Sequence, residues 1–111
     1  MKNFKNILIT GGAGFIGSNL AEKLVNLNLN VISIDDYSFG SKDNHIENVK
    51  YIDDEIENID HIKQPIDICF HLAAKARVQP SFSDPMEYFR VNVNGTVKVL
   101  DWAKNNNVKV V

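Results

Sequence analysis

Short apolar runs recur along the chain and are separated by longer stretches in which apolar and polar residues mix. An uninterrupted apolar run is typical of a parallel strand, because helices cover both faces of such a strand. The runs predict five strands, at residues 7–9, 31–34, 49–52, 66–72 and 108–111. The intervening stretches have the spacing of amphipathic helices.

The first helix is predicted at residues 15–27, directly after the first strand. Its apolar residues recur at intervals of three or four, so we expect them to form one stripe that lies on the sheet. This stripe consists of Ile16, Leu20, Leu24 and Leu27. Asn28 and Asn30 end the helix, since asparagine tolerates the left-handed backbone that closes many helices.

The last helix has a well-marked beginning. Asp84 is the expected N-cap, Pro85 occupies the first helical position, and Glu87 completes a capping box. One apolar side is predicted, formed by Phe89, Val93, Val97 and Leu100. Arg90 and Lys98 are predicted to face outward on the same periodicity.

Alternation of strands with helices, including a short helix near residues 56–62, predicts a parallel sheet with right-handed crossovers. The expected fold class is therefore α/β, a Rossmann-type doubly wound parallel sheet truncated after about five strands. Residues 1–111 form a single domain on this interpretation. In such a sheet, ligands bind beyond the carboxyl ends of the strands.

Three glycines lie three residues apart where the first strand turns into the first helix. Gly11 allows the tight turn, Gly14 allows a pyrophosphate to approach the backbone, and Gly17 allows close packing of the helix. The N–H groups and the dipole at the helix start favour an anion. This arrangement predicts a dinucleotide-binding turn. Its first two glycines are three residues apart, one more than in the GxGxxG pattern.

An acidic residue about 20 positions further on is the second element of such a site. Asp35 occupies that position at the end of the second strand and is expected to accept hydrogen bonds from the adenosine ribose. The charges of Asp35 and Asp36 would oppose a 2′-phosphate, and the nearest cation in sequence is Lys42. The predicted cofactor is therefore NAD, not NADP.

Composition narrows the choice of partners. The net charge is −2, and acidic and basic residues are interspersed, so no basic face predicts nucleic-acid binding. Neither a secretory leader nor a membrane-length apolar run is present in the sequence, and we expect a cytoplasmic protein without membrane contact.

Five other residues have side chains that could react or bind a ligand, but we interpret each of them as structural. Cys69 lies in a strand pattern and is expected to be a small buried hydrophobe, and Trp102 is expected in the core. His71 is interpreted as a packed, hydrogen-bonded residue near the cofactor. His45 and His61 have no partners at metal-ligand spacing, so no metal site is predicted.

Six ordered motifs resemble those of the NAD-dependent epimerase/dehydratase group of extended short-chain dehydrogenases, of which UDP-glucose 4-epimerase is a member. They are residues 10–17 (TGGAGFIG), 35–36 (DD), 54–56 (DEI), 71–74 (HLAA), 78–85 (VQPSFSDP) and 92–96 (NVNGT). The resemblance extends over essentially the whole chain.

The resemblance implies a role for each matching position. The backbone at Gly14, Phe15 and Ile16 would hold the pyrophosphate, beside Gly11 and Gly17. The remaining implied cofactor-binding residues are Asp35 and Asp36 at the adenosine ribose, Glu55 and Ile56 beside the adenine, Leu72, Ala73, Ala74 and Lys75 between the adenosine ribose and the nicotinamide, and Asn92 near the centre of the cofactor. Val78 and Ser81 would lie towards a nucleotide-sugar substrate, most simply a UDP-sugar.

Two departures from the family pattern stand out. The family usually has aspartate where Glu55 stands. Its catalytic Tyr-x-x-x-Lys is also missing, because Tyr37, Tyr51 and Tyr88 are followed four residues later by serine, glutamate and asparagine. No catalytic residue is therefore assigned in this chain, which is expected to be inactive alone.

Three functional hypotheses remain open. The chain is the NAD-binding portion of a nucleotide-sugar epimerase/dehydratase, in the first instance a UDP-sugar 4-epimerase that works by hydride transfer through a 4-keto intermediate. It is alternatively a non-catalytic NAD(H)-binding module or redox sensor. In the third hypothesis the chain alone does not form a stable domain. A homodimer is possible by resemblance.

Overall fold

A computed structural model describes residues 4–74 and 83–111 of the protein. Five strands form one sheet: β1 (Asn6–Thr10), β2 (Asn30–Asp35), β3 (Val49–Asp53), β4 (Ile68–His71) and β5 (Lys109–Val110). All neighbouring strands are parallel, and their order is β3-β2-β1-β4-β5. The predicted α/β Rossmann-type parallel sheet is confirmed.

The register brings the carboxyl ends of three strands to one edge. Thr10, the last residue of β1, lies beside Ile34 of β2 and His71 of β4. Asp35 is the next residue of β2 and pairs with Asp53 of β3. Residues that directly follow these strands therefore meet at a common edge of the sheet.

Helices cover both faces of the sheet. They are α1 (Phe15–Asn26), α2 (Pro85–Phe89) and α3 (Gly95–Asn106), with 3₁₀ turns at Lys42–Asn44 and Ile56–His61. A π turn at Arg90–Asn94 joins α2 to α3, and we call these three segments the long helix. The Asp84 side chain accepts from the Glu87 N–H at 3.2 Å, which confirms the predicted N-cap.

Two apolar layers hold the helices to the sheet. On one face α1 packs through Ala21 and Leu24 against Ile7, Ile9 and Val31. The other face carries the larger layer, which consists of Leu8, Ile34, Ile56, Ile59, Ile62, Ile66, Cys69, Val99, Trp102 and Ala103. The core positions expected for Cys69 and Trp102 are confirmed, and burial raises the pKa of the Cys69 thiol to about 12.

The predicted apolar stripe of α1 is only partly correct. Leu24 is buried, but Ile16 and Leu27 are 69% and 67% exposed. The buried face instead consists of Gly17, Ser18, Ala21 and Leu24. Small residues occupy it because α1 lies close to the turn that precedes it. Asn28 has the expected left-handed backbone, whereas Asn30 is already the first residue of β2.

The apolar side predicted for the long helix does not face the sheet. Phe89, Val93, Val97 and Leu100 are all about half exposed, while Gly95, Val99, Trp102 and Ala103 face the core. Val97 and Leu100 lie in α3 together with Val99 and Trp102, so the buried side is selected by packing of α3 against the sheet and the 3₁₀ turn after β3. In the described residues, no helix is both long and apolar enough to cross a bilayer.

Candidate functional site

A cleft opens to solvent at the carboxyl edge of the sheet. Its walls come from the glycine turn after β1, the loop after β2, the segment after β3, the end of β4 and the start of the π turn. The lining residues are Gly11, Gly14, Ile34, Asp35, Asp36, Ser38, Phe39, Gly40, Asp54, Glu55, Ile56, Glu57, Leu72, Ala73, Ala74, Arg90 and Val91.

The glycine turn is fixed by its backbone. Gly11 has a φ of 78° and donates its N–H to the Ile34 carbonyl at 2.8 Å. A Cβ at Gly11 would lie 2.9 Å from the Ala73 nitrogen, and one at Gly17 would lie 2.2 Å from the Gly11 carbonyl oxygen. Both glycines therefore permit backbone approaches that any side chain would prevent.

The start of α1 is suited to an anion. Gly14 is the N-cap, and the first bond of the helix joins the Ser18 N–H to the Gly14 carbonyl at 2.9 Å. The N–H groups of residues 15–17 precede that bond, so they lack partners within the helix. No acidic residue lies in the first turn, and a shallower part of the cleft runs past Phe15 and Ile16. Pyrophosphate is the anion expected there.

Asp35 joins the glycine turn to the loop after β2. Its side chain is buried, with Oδ2 accepting from the Ala13 N–H at 3.0 Å and Oδ1 accepting from the Tyr37 N–H at 2.8 Å. Each carboxylate oxygen can accept a further hydrogen bond. Asp35 is therefore held at the cleft wall and retains acceptor capacity for the hydroxyl groups of a ligand.

The loop after β2 closes on the glycine turn, a contact that sequence reasoning missed. The Ser41 N–H and the Asn44 side-chain amide both donate to the Ala13 carbonyl, at 3.1 and 2.9 Å. This closure brings Ser38, Phe39 and Gly40 into the cleft wall. The turn-forming composition of the loop was visible in the sequence, but its contact with Ala13 was not.

Arg90 lines the cleft, which corrects the prediction that it faces outward without a role. Its guanidinium pairs with Glu87 in the same helix and with Glu57 in the 3₁₀ turn after β3. The Arg90 Nε donates to Glu87 Oε2 at 2.8 Å. The arginine thus ties the long helix to the segment that carries Glu55 and Ile56. Its helical spacing from Glu87 was a usable signal, whereas its proximity to Glu57 depends on tertiary structure.

The cleft wall is acidic at the end formed by the loops after β2 and β3. Five carboxylates contribute, from Asp35, Asp36, Asp54, Glu55 and Glu57, against the guanidinium of Arg90 among the described lining residues. The Glu57 charge raises the pKa of Glu55, while Arg90 opposes that effect. A further phosphate group on a ligand would be repelled at this end.

Most of the predicted cofactor-binding residues lie along the cleft. Twelve of them line its deep or shallow part: Gly11, Gly14, Phe15, Ile16, Gly17, Asp35, Asp36, Glu55, Ile56, Leu72, Ala73 and Ala74. Asn92 lies in the π turn and is not among the lining residues. Lys75, Val78 and Ser81 lie outside the described residues, so their roles remain predictions.

His71 is hydrogen-bonded at both ring nitrogens, as its sequence interpretation predicted. Nδ1 lies 2.7 Å from the Thr10 hydroxyl and Nε2 lies 3.0 Å from the Thr96 hydroxyl. Burial lowers the pKa of His71. His45 and His61 are exposed, and His45 stacks on Tyr51 with ring centroids 3.7 Å apart.

We expect the stability of the chain to fall as the pH drops below about 6.5, the ordinary pKa of histidine. The lowered pKa of His71 means that the unfolded state binds a proton first, so this contribution to stability is complete above pH 6.5 and is lost towards the folded-state pKa. Urea denaturation between pH 8 and pH 5 measures the effect.

His71→Asn is the matched control, and its denaturation curves should depend less on pH over that interval. Asp54 and Asp60 have lowered pKa values, so their contributions are lost in a separate window below about pH 4. Equal pH dependence in the wild type and in His71→Asn would contradict the assignment.

The parallel sheet, the glycine turn and the acid at the end of β2 together define a Rossmann dinucleotide-binding domain. The chain belongs to the NAD-dependent epimerase/dehydratase family, whose model matches residues 7–111. This finding confirms the resemblance drawn from the six motifs.

Individual relatives agree with the family assignment. A putative UDP-glucose 4-epimerase of Methanocaldococcus jannaschii is 31% identical over 92% of this chain and 35% of its own length. The structure of an epimerase from Methanothermobacter thermautotrophicus is 35% identical over 96% of this chain and 33% of its own, with a TM-score of 0.88. A UDP-glucose 4-epimerase of Thermus thermophilus in complex with NAD has a TM-score of 0.80 and 28% identity, over 92% of this chain and 34% of its own.

The chain thus spans about a third of the length of these relatives. NAD is the cofactor of the family, and a structural neighbour is crystallised with it.

Proposed function

We propose that this chain is the NAD-binding portion of a nucleotide-sugar epimerase/dehydratase, specifically of a UDP-sugar 4-epimerase. The single observation that carries the proposal is the cleft, in which the glycine turn, Asp35 and the end of β4 meet at one edge of the sheet. Two of the relatives described above are named as UDP-glucose 4-epimerases, which supports the sugar class.

The residues present suit NAD. A Cβ at Gly14 would contact nothing closer than the Gly11 carbonyl oxygen at 3.5 Å, which leaves space for a pyrophosphate beside the first turn of α1. Asp35 would accept from the adenosine ribose, and the acidic wall would disfavour the extra phosphate of NADP. Bound NAD supplies a hydride acceptor for oxidation of a sugar hydroxyl.

Titration of the purified chain with NAD and with NADP tests cofactor binding. At NAD concentrations about 100 times the dissociation constant, stability should rise by about 2.7 kcal/mol in thermal melts. NADP at the same concentration should stabilise the chain less. A cooperative melt that neither dinucleotide shifts would refute the binding proposal, and a melt without cooperativity would favour the third hypothesis, that the chain alone is unstable.

A chimera tests the activity. We expect a chain with residues 1–111 in place of the matching third of the M. jannaschii relative to interconvert UDP-glucose and UDP-galactose. The unmodified relative is the positive control. A folded chimera that retains NAD but interconverts no UDP-sugar would count against the 4-epimerase assignment.

The alternative hypothesis, a redox sensor, is tested by a different measurement. A sensor must distinguish the two redox states of its ligand, because only a difference in affinity changes its conformational equilibrium. Titration with NAD and NADH therefore separates the hypotheses, and equal affinities would exclude the sensor.

A further inference from the structure

Three side chains form a continuous hydrogen-bonded bridge beneath the cleft. Thr10 ends β1, His71 ends β4, and Thr96 lies in the first turn of α3. The imidazole stands between the two hydroxyls, at 2.7 Å from one and 3.0 Å from the other. We call this set the Thr–His–Thr bridge.

The direction of each hydrogen bond at the Thr10 hydroxyl follows from the number of its lone pairs and protons. Its hydroxyl oxygen accepts from the Leu72 N–H at 2.9 Å, a donor that it shares with the Thr10 carbonyl at 3.0 Å, and from the Ala73 N–H at 3.1 Å. A hydroxyl has two lone pairs and one proton, so both acceptor positions are in use. The proton must therefore be donated to His71, which makes Nδ1 an acceptor.

The other end of the bridge leads independently to the same tautomer. The Thr96 hydroxyl donates to the Asn92 carbonyl at 2.7 Å, and a carbonyl can only accept. Thr96 must then accept from His71, so Nε2 carries the proton. Neutral histidine has one N–H, and the Nε2–H form satisfies every partner of the bridge.

The bridge connects two parts of the molecule that matter for a ligand. Thr10 holds the backbone of Leu72 and Ala73, both of which line the cleft. Thr96 bonds to Asn92 within the π turn, whose first two residues, Arg90 and Val91, line the opposite wall. The relative positions of the two walls thus depend on the His71 ring.

We propose that His71, in its Nε2–H form, is a positioning residue for the dinucleotide, because it sets the cleft floor at residues 72–73 against the π turn of the long helix. This role rests on the proposed NAD site. His71 itself touches no ligand in this proposal, and its effect is transmitted through Thr10 and Thr96.

Four variants separate positioning from general stability. His71→Leu removes both bonds, His71→Asn retains an acceptor facing Thr10, and Thr10→Ser retains the hydroxyl. Val99→Ala is the matched control, since Val99 is fully buried in α3 and does not line the cleft. The dissociation constant for NAD is measured by calorimetry at a temperature where each variant is folded.

We expect about a tenfold weaker NAD affinity for His71→Leu, because loss of both bonds lets residues 72–73 and the π turn move relative to each other. His71→Asn should recover part of that loss. Thr10→Ser and Val99→Ala should bind within twofold of the wild type, although Val99→Ala melts at a lower temperature. Nitrogen NMR of the wild type should show Nε2 protonated and Nδ1 unprotonated.

Unchanged NAD affinity in folded His71→Leu, or an equal loss in Val99→Ala, would overturn the positioning role while leaving the proposed NAD site intact. Protonation at Nδ1 would overturn the bridge itself. Absence of NAD binding by the folded wild type would instead refute the proposed function, and the positioning role with it.

Discussion

Replacement of Gly17 by alanine is expected to lower the free energy of unfolding by about 3 kcal/mol, the upper range for overpacking. A Cβ there would lie 2.2 Å from the Gly11 carbonyl oxygen and 2.8 Å from the Gly12 Cα. Both neighbours are backbone atoms, and the turn cannot retreat easily because Gly11 is bonded to Ile34 of β2. The melting temperature should fall by on the order of 10 °C.

Gly14→Ala is the matched control for this prediction, because it adds the same methyl group three residues earlier. Its Cβ would make only ordinary contact, at 3.5 Å, and its φ of −80° suits alanine. We expect a loss of about 1 kcal/mol or less from the N-cap change. NAD affinity should nevertheless fall at least tenfold, since the methyl would occupy the space proposed for the pyrophosphate.

Circular dichroism melts and calorimetric titration with NAD distinguish the two effects. Gly17→Ala should lose mainly stability, and Gly14→Ala should lose mainly affinity. Equal melting temperatures for Gly17→Ala and the wild type would show that the turn relaxes and would remove the steric argument. Undiminished NAD affinity in Gly14→Ala would move the pyrophosphate away from this turn.

The strands could be predicted because the sequence pattern that defines each of them is local. Each apolar run is short, bounded by polar or turn-forming residues, and too uniform for an amphipathic helix, which is why all five strands were found. The parallel arrangement follows from alternation with helices, because each helix returns the chain to the edge at which the next strand begins. The strand ends then place Asp35 and the segment after His71 at one edge.

The helix faces were less predictable, because a helix can carry two apolar stripes. In the long helix, Val97 and Leu100 repeat with the same spacing as Val99 and Trp102, yet only the second pair is buried. The choice of face is made by the sheet and by Ile56, whose methyl group lies against Gly95.

The acidic wall of the cleft required tertiary information as well. Glu57 and Arg90 are 33 residues apart and meet only because the 3₁₀ turn after β3 packs on the long helix. Likewise, the Ser41 and Asn44 bonds to Ala13 depend on how the loop after β2 folds back. Motifs therefore located the centre of the cleft, whereas its walls follow from pairs distant in sequence.

Asp35→Asn is expected to weaken NAD binding roughly 10- to 100-fold and to reduce the preference for NAD over NADP. Asp35 accepts one backbone N–H on each carboxylate oxygen, from Ala13 and from Tyr37. Asparagine has one oxygen, so one of these donors would face an amide nitrogen. Hydrogen bonds to a charged acceptor contribute about 1.5–3 kcal/mol each, which sets the range expected for the lost ribose contact.

Asp36→Asn removes the same charge from the adjacent position and is the control. Asp36 is exposed, and its Oδ1 accepts local bonds from Ser38 that an asparagine oxygen can also accept. We expect its NAD affinity to stay within about threefold of the wild type. The decisive quantity is the ratio of the NAD and NADP dissociation constants, because loss of stability weakens both ligands alike and cancels in the ratio. The assignment to Asp35 would be wrong if Asp35→Asn left this ratio unchanged, or if Asp36→Asn changed it equally. Either result would mean that the general acidity of the wall sets the preference for NAD, and that Asp35 serves to hold the turn.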